Sequence, residues 1–405
     1  MAHIFRTLIA LAFAMAVSQM SYAEKKYGPG VTDTEIKIGS TNPYSGPASA
    51  YGVIGRAESA YFKMINDQGG INGRKINFIS LDDGYSPPRT VEQVRKLVEQ
   101  EQVLFLAGTL GTPPNSAIHK YVNAKGVPHI FVNTGATKWG DPKNFPWTMG
   151  FNINYQAEGR IYANYILDTK PDAKIAILFQ NDDYGKDYVK GLKDGLGDKA
   201  AKMIVAEASY EVTDPTIDSQ IVTLKASGAD TFYNVTTPKF AAQAIRRVYD
   251  MGWKPLHVLN NVSYSVGSVL TPAGLEKSVG LITAAYTKDP VDPQWKNDPG
   301  FKEYAAWFKK YYPEGEINDS FNVAGYLIAQ GVVHVLKACG DDLSRENVMR
   351  QMTSIKDLQL PMMLPGIKWN TSQDDFFLIE SAQLARFDGK EGCGLARLSG
   401  SEELR

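Results

Sequence analysis

Two short segments of this 405-residue chain concentrate the groups that hold an anion: Val103–Ser116 (VLFLAGTLGTPPNS) and Pro128–Lys138 (PHIFVNTGATK). Each is an apolar run of strand length that breaks into a loop rich in Gly and Thr, and the first loop feeds a helical pattern. On adjacent parallel strands the two loops lie at one edge of a sheet. Their hydroxyls and free backbone N–H groups then converge on one point, which binds a small anion without metal or covalent chemistry. The expectation is a binding protein, not an enzyme.

The residues of catalysis do not assemble in the same way. There is no GxGxxG, no P-loop, no GxSxG elbow and no HExxH. The five histidines (His3, His119, His129, His257, His334) are far apart, and two cysteines without a CxxC exclude the usual zinc or redox spacing. His129 and His257 read as core or rim residues of strands. The pairs Asp82-Asp83 and Asp182-Asp183 sit at strand ends, where helix capping is the expected role. No cofactor and no metal is predicted. A hydrolase built from scattered histidines is the weakest alternative, and turnover of a bound compound is what it requires.

Composition narrows the class further. Hydrophobic residues make up 43% of the chain, enough for full cores, and the net charge of −1 with interspersed signs leaves no footprint for nucleic acid or anionic membrane. His3 and Arg6 precede the apolar run Leu8–Val17, which ends in the small-residue site Ser21-Tyr22-Ala23. This predicts a secretory signal peptide over 1–23, and a soluble mature protein outside the cytoplasm. The run falls short of the about 20 residues that span a bilayer. Neither Cys339 nor Cys393 follows the signal region, which favours a free periplasmic protein over a lipid-tethered one. In an oxidising compartment the two can pair across a loop of roughly 50 residues, worth about 4 kcal/mol in the chain-entropy model. The alternative is a buried thiol at 339 and an exposed one at 393.

The elements that must position the two loops alternate regularly. Strand-like runs at 36–40, 76–82, 103–107 and 129–133 alternate with helical patterns at 54–66 and 89–101. A second set follows: helices at 156–169, 186–196, 217–227 and 239–251, and strands at 174–180, 203–208, 230–235 and 257–260. Strands of four to eight residues alternating with longer helices mark parallel sheets covered on both faces. About eight such units exceed one doubly wound sheet, so the expectation is α/β with two Rossmann-like lobes in series. Beyond 281, a strand-like run (281–287), helices at 299–312, 321–338 and 345–353, and β segments at 367–370 and 376–387 suggest that the chain crosses back to complete each lobe. Multiple crossovers make a hinge, and a hinge makes a cleft that can close. The expected division is lobe I over 27–150 plus 286–363, lobe II over 151–285 plus 364–390, and a tail over 391–405.

With IKIGSTNPYSGPASAYG at 36–52, NDQGGINGRKI at 66–76, DDGYSPPRTVEQVRKLV at 82–98 and NDDYGKD at 181–187, the chain resembles the periplasmic leucine/isoleucine/valine-binding protein family over nearly its whole mature length. These are the type I solute-binding proteins of ATP-driven (ABC) importers. The resemblance implies a three-crossover hinge, a ligand clamped between the lobes, a monomer, and an ABC permease in the inner membrane as partner. By position it assigns a ligand carboxylate to the hydroxyls of Thr112 and Thr137 and to the backbone around Gly111 and Ala136. Tyr51 and Tyr184 become aromatic walls on facing lobes, and Thr236 and Asn261 come from lobe II.

One feature departs from the family. Its amino-acid binders pair the ligand ammonium with a carboxylate on lobe II, but here the matching strand end reads HVLNNVSYS (257–265) without an acid. A buried ammonium without a counter-charge is costly. The expected ligand is therefore a carboxylate without an amine. FYNVTTPKFAAQAIRRVYDMGWKP and HVLNNVS are similar to the subgroup that takes up aromatic acids. A true branched-chain amino-acid binder and a ligand-sensing module for a membrane receptor are the alternatives.

Overall fold

The structure is a computed structural model that describes residues 25–389 and the backbone of 396–403. The expected signal peptide and Cys393 lie outside the described residues. Cys339 is buried, and burial pushes its thiol up to about 12.

The first sheet is built from β1 (Glu35–Asn42), β2 (Lys75–Asp82), β3 (Phe105–Ala107), β4 (His129–Val132) and β5 (Thr148–Gly150), in the order β2-β1-β3-β4-β5 and parallel throughout. Helix α1 (Gly52–Asp67) covers one face. Helices α2 (Pro87–Arg95) and α3 (Thr112–Ala124) cover the other, where Val94, Leu97, Leu106, Ile118 and Val122 close a small core. β1 is buried along most of its length because both faces are covered, as parallel sheets require.

The chain then passes through α4 (Tyr155–Thr169) into a second sheet. It contains β6 (Ile175–Gln180), β7 (Ile204–Tyr210), β8 (Thr231–Val235), β9 (Leu256–Leu259) and β10 (Ile282–Ala285), with α5 (Asp183–Leu196), α6 (Asp218–Ala226) and α7 (Pro238–Asp250) between them. α4 and α5 pack so closely that a Cβ on Gly191 would lie 2.2 Å from the Gln156 carbonyl oxygen. This approach fixes Tyr155 and Tyr184, at the starts of the two helices, with ring centroids 5.4 Å apart.

After β10 the chain returns to the first lobe as α8 (Pro299–Tyr311) and α9 (Phe321–Cys339), which pack on α1, followed by α10 (Arg345–Met352). It crosses again beside its earlier path: Lys288 donates to the Met362 carbonyl and Leu364 to that of Tyr286. β11 (Ser381–Arg386) then joins β10 antiparallel, and β12 (Ala396–Glu403) pairs with β11, giving the order β12-β11-β10-β9-β8-β6-β7. The segment expected as a tail thus supplies a backbone strand that covers the edge of β11. One core runs through both lobes.

Local differences from the sequence reading have local causes. The helix expected from 89 starts at Pro87, because proline fits a first turn, and its last turn is a π-turn over 96–100. The segment 367–370 makes only isolated bridges, Trp369 pairing with Leu358 and Ile379. β5 is three residues long, too short to show a period of two.

Candidate ligand-binding site

The strands of both sheets aim their carboxyl ends at one cavity, where open α/β sheets bind ligands. It encloses about 860 Å³ of non-atom space, including its mouth. Loops after β1, β2, β3, β4 and β5 bring Tyr51, Tyr85, Gly111 with Thr112, Asn133, and Asn152. Loops after β6, β8, β9 and β10 bring Tyr184, Thr237, Asn261 with Tyr264, and Tyr286 with Asp289. Six of the lining side chains are tyrosines (51, 85, 155, 184, 264, 286), joined by Phe321, and none is Lys or Arg.

Of the expected residues, Tyr51, Gly111, Thr112, Tyr184 and Asn261 meet in this cavity. Tyr51 donates its hydroxyl to the Val262 carbonyl at 2.8 Å, tying the lobes together, and its ring lies 5.1 Å from that of Phe321. Gly111 has φ +96° and the Tyr85 ring lies across it, so that a Cβ would fall 2.4 Å from Cε2. Glycine is required there twice over. The Thr112 hydroxyl is bonded to that of Thr134. Prolines at 113 and 114 leave Thr112 as the one N–H donor in the helix start before Asn115, whose own N–H goes to Gly111. Asn261 donates its N–H to the Glu158 carboxylate (2.7 Å) and its Nδ2 to the Ala284 carbonyl, which leaves its Oδ1 to the cavity.

Three expected residues stand elsewhere. Thr137 gives its N–H to Asp187 at 2.7 Å and accepts Asn154 Nδ2 on its hydroxyl at 3.0 Å, so its N–H is taken and its side chain is held at the facing lobe, outside the residues that line the cavity. Ala136 is buried against Thr134 and Trp139, with its N–H turned to Thr134 Oγ1. Thr236 is a fully buried brace: its hydroxyl bonds Asn234, and its carbonyl accepts Asn260 and Ser263. Hydrogen bonds within the protein use the groups that sequence position assigned to the ligand. Asp182 caps α5 and Asp183 pairs with Lys138, so neither faces the cavity. His129 bonds Thr109 and Asn115, His257 meets Asn234, and burial pushes both imidazoles down to about 3.

An acid does line the cavity, from a different element than HVLNNVSYS. Asp289, on the crossover after β10, lines the cavity with Oδ1 held by the Val291 N–H at 3.0 Å and Oδ2 without a hydrogen bond in the protein. Burial pushes its carboxyl up to about 6. The Tyr264 hydroxyl stands beside that carboxyl and works against the upward shift, and it has no other partner in the protein. Asn133 Nδ2, Asn152 Oδ1 and the Tyr184 hydroxyl are likewise unpartnered. Buried polar groups are normally satisfied, so these five atoms are the groups at the cavity that a bound molecule can satisfy. Position alone could have suggested Asn133 and Tyr264, which end segments already singled out; Asp289 follows an ordinary strand end, LITAAYTKD.

The chain matches known proteins over most of its length. A family model described as periplasmic binding protein aligns with residues 35–392. The chain belongs to the periplasmic binding protein family. This binding protein is 25% identical to "Leu/Ile/Val-binding protein homolog 1" of Brucella suis biovar 1 (strain 1330) over 345 residues, covering 84% of this chain and 85% of the relative. A branched-chain amino acid ABC transporter protein from Thermus thermophilus with bound valine superposes with TM-score 0.81 at 15% identity, covering 92% and 97% of the two chains. A solute-binding protein of an R. palustris ABC transporter in complex with benzoate gives 0.73 at 20% identity, covering 91% and 96%. At such identities these structures share the fold of this binding protein, the type I periplasmic architecture of two α/β lobes. Among the described residues no helix is long and apolar enough to cross a membrane.

Proposed function

We propose that this protein is exported by its N-terminal signal peptide and captures a small aromatic-bodied organic acid in the inter-lobe cleft for delivery to an ABC importer. The acid also carries a hydrogen-bond-donating group, such as an amine. The three crossings near 150, 286 and 364 serve as the hinge. Relatives that bind valine and benzoate support a carboxylate ligand without choosing between an amino acid and a simple aromatic acid.

The observation that carries the reading is Asp289 beside Tyr264 in a tyrosine-lined cavity without a basic side chain. Tyrosine faces suit a flat apolar body. The carboxylate of the ligand goes to the neutral donors at Thr112 and Asn133, and its donor group to Asp289 Oδ2. A simple benzoate-like anion would leave Asp289 unpartnered and add a like charge. The sequence-based preference for an amine-free acid rested on the lack of an acid at 257–265, and Asp289 removes that ground.

A melting-shift screen tests this with L-phenylalanine, L-tyrosine, L-leucine, phenethylamine, benzoate and phenylacetate. A ligand at a hundred times its Kd adds about 2.7 kcal/mol of stability. Aromatic amino acids are expected to give the largest shifts. Larger shifts with benzoate than with phenylalanine would overturn the donor requirement, and no shift with any carboxylate would overturn the reading itself.

A further inference from the structure

Thr137, expected at the ligand, instead holds the opposite lobe. Its N–H donates to Asp187 Oδ2 at 2.7 Å, and Asp187 Oδ1 accepts Gln156 Nε2 at 2.8 Å. Next to it, Lys138 Nζ reaches Asp183 Oδ2 at 2.5 Å and Ser116 at 3.0 Å. Asp183 and Asp187 stand one turn apart at the start of α5, in the lobe of the second sheet, while Thr137 and Lys138 follow β4 of the first. Between the two acids lies Tyr184, buried, with its hydroxyl unpartnered at the cavity wall.

We infer that the first turns of α5 form a closure clasp, in which Asp187, aided by Asp183, grips Thr137–Lys138 and so positions Tyr184 over the cleft. An acid near a helix N-terminus is ordinarily explained by the helix dipole. That explanation does not cover Asp187, whose two oxygens are taken by the facing loop and by α4. The Thr137 and Lys138 contacts bridge the two lobes, so separation of the lobes breaks them, and an interaction made in only one of two states shifts their populations. The Lys138–Asp183 pair is largely exposed and contributes little. The half-buried bond from Thr137 N–H to a charged acceptor is worth about tenfold to a hundredfold in the closed-to-open ratio.

The clasp rests on the reading of the cleft as a ligand site but not on which ligand enters it. Its test uses the full mature chain with Cys339 and Cys393 replaced by alanine and dye-labelled cysteines at Lys120→Cys and Asp198→Cys, followed by single-molecule energy transfer without ligand and with L-phenylalanine. Asp187→Ala is expected to lower the closed-to-open ratio at least about tenfold, whereas Asp194→Ala, an acid of the same helix paired with Lys190, leaves it unchanged. Asp187→Asn, which keeps size and an acceptor, is expected to give an intermediate loss and serves if the alanine variant does not fold. Unchanged distance distributions in a folded Asp187 variant overturn the clasp. The distributions without ligand decide this even if phenylalanine does not bind, an outcome that bears on the ligand reading alone.

Discussion

Asp289→Asn separates a carboxylate kept for a ligand from one kept for the fold. Asp289 is 6% exposed, and burial moves its carboxyl from the ordinary 3.8 to about 6. The folded chain therefore holds a proton that the unfolded chain has released, so this group makes stability fall as pH rises from about 4 to about 6. The whole effect is on the order of 3 kcal/mol, reached by neutral pH. Asparagine keeps an acceptor for the Val291 N–H and loses only the ionisation. The variant should therefore be more stable than wild type by about 1–3 kcal/mol at pH 7.5, with the gain gone near pH 4. It should bind an aromatic amino acid at least about a hundredfold more weakly, because a buried ammonium loses its counter-charge. Urea unfolding at both pH values and calorimetric titration with L-phenylalanine measure the two effects. A variant less stable than wild type at both pH values, or equally stabilised at both, refutes the argument.

Other substitutions test other parts of the site. Gly111→Ala places a Cβ against the Tyr85 ring at a φ of +96° and should cost at least about 1–3 kcal/mol, read as a lower urea midpoint. Thr112→Val should weaken ligand binding in a calorimetric titration more than Thr137→Val does, since valine at 137 keeps the N–H that Asp187 accepts. Glu158→Gln keeps an acceptor for Tyr162 and the Asn261 N–H and turns its amide nitrogen to the Tyr188 hydroxyl, which can accept, so it should match wild type near pH 4.5 and be more stable by about 1–3 kcal/mol in urea titrations near pH 8. Burial pushes Glu158 up to about 7, so wild-type stability also falls between about pH 4.5 and 7 on its account, and a melting curve of the glutamine variant should lack that component.

The fold was legible because its elements are long and strongly periodic. KIAILFQ at 174–180 and the helix Phe321–Cys339 declare themselves by apolar content alone, and their alternation implies parallel sheets. What local pattern could not carry was pairing over distance. β12 lies with β11 because an edge was left open, and 367–370 fails as a strand because its partners are single residues from two different segments. A three-residue strand such as β5 has too few positions for either period to register.

The site divides along the same line. Gly111, Thr112 and Tyr51 line the cavity where sequence position puts them, since loop chemistry and position coincide there. Thr137 shows the limit of arguing by position: its loop has the expected composition, but the facing helix supplies Asp187, and a carboxylate held 2.7 Å from an N–H leaves that N–H nothing for an anion. Asp289 shows the converse. A counter-charge need only be near in space, and Asp289 on the crossover after β10 lines the cavity 25 residues beyond Tyr264 in number and beside it in the fold. Ligand charge in such a cleft is therefore set by whichever crossover enters it, and the charge balance has to be taken around the whole cavity and not along any one strand end.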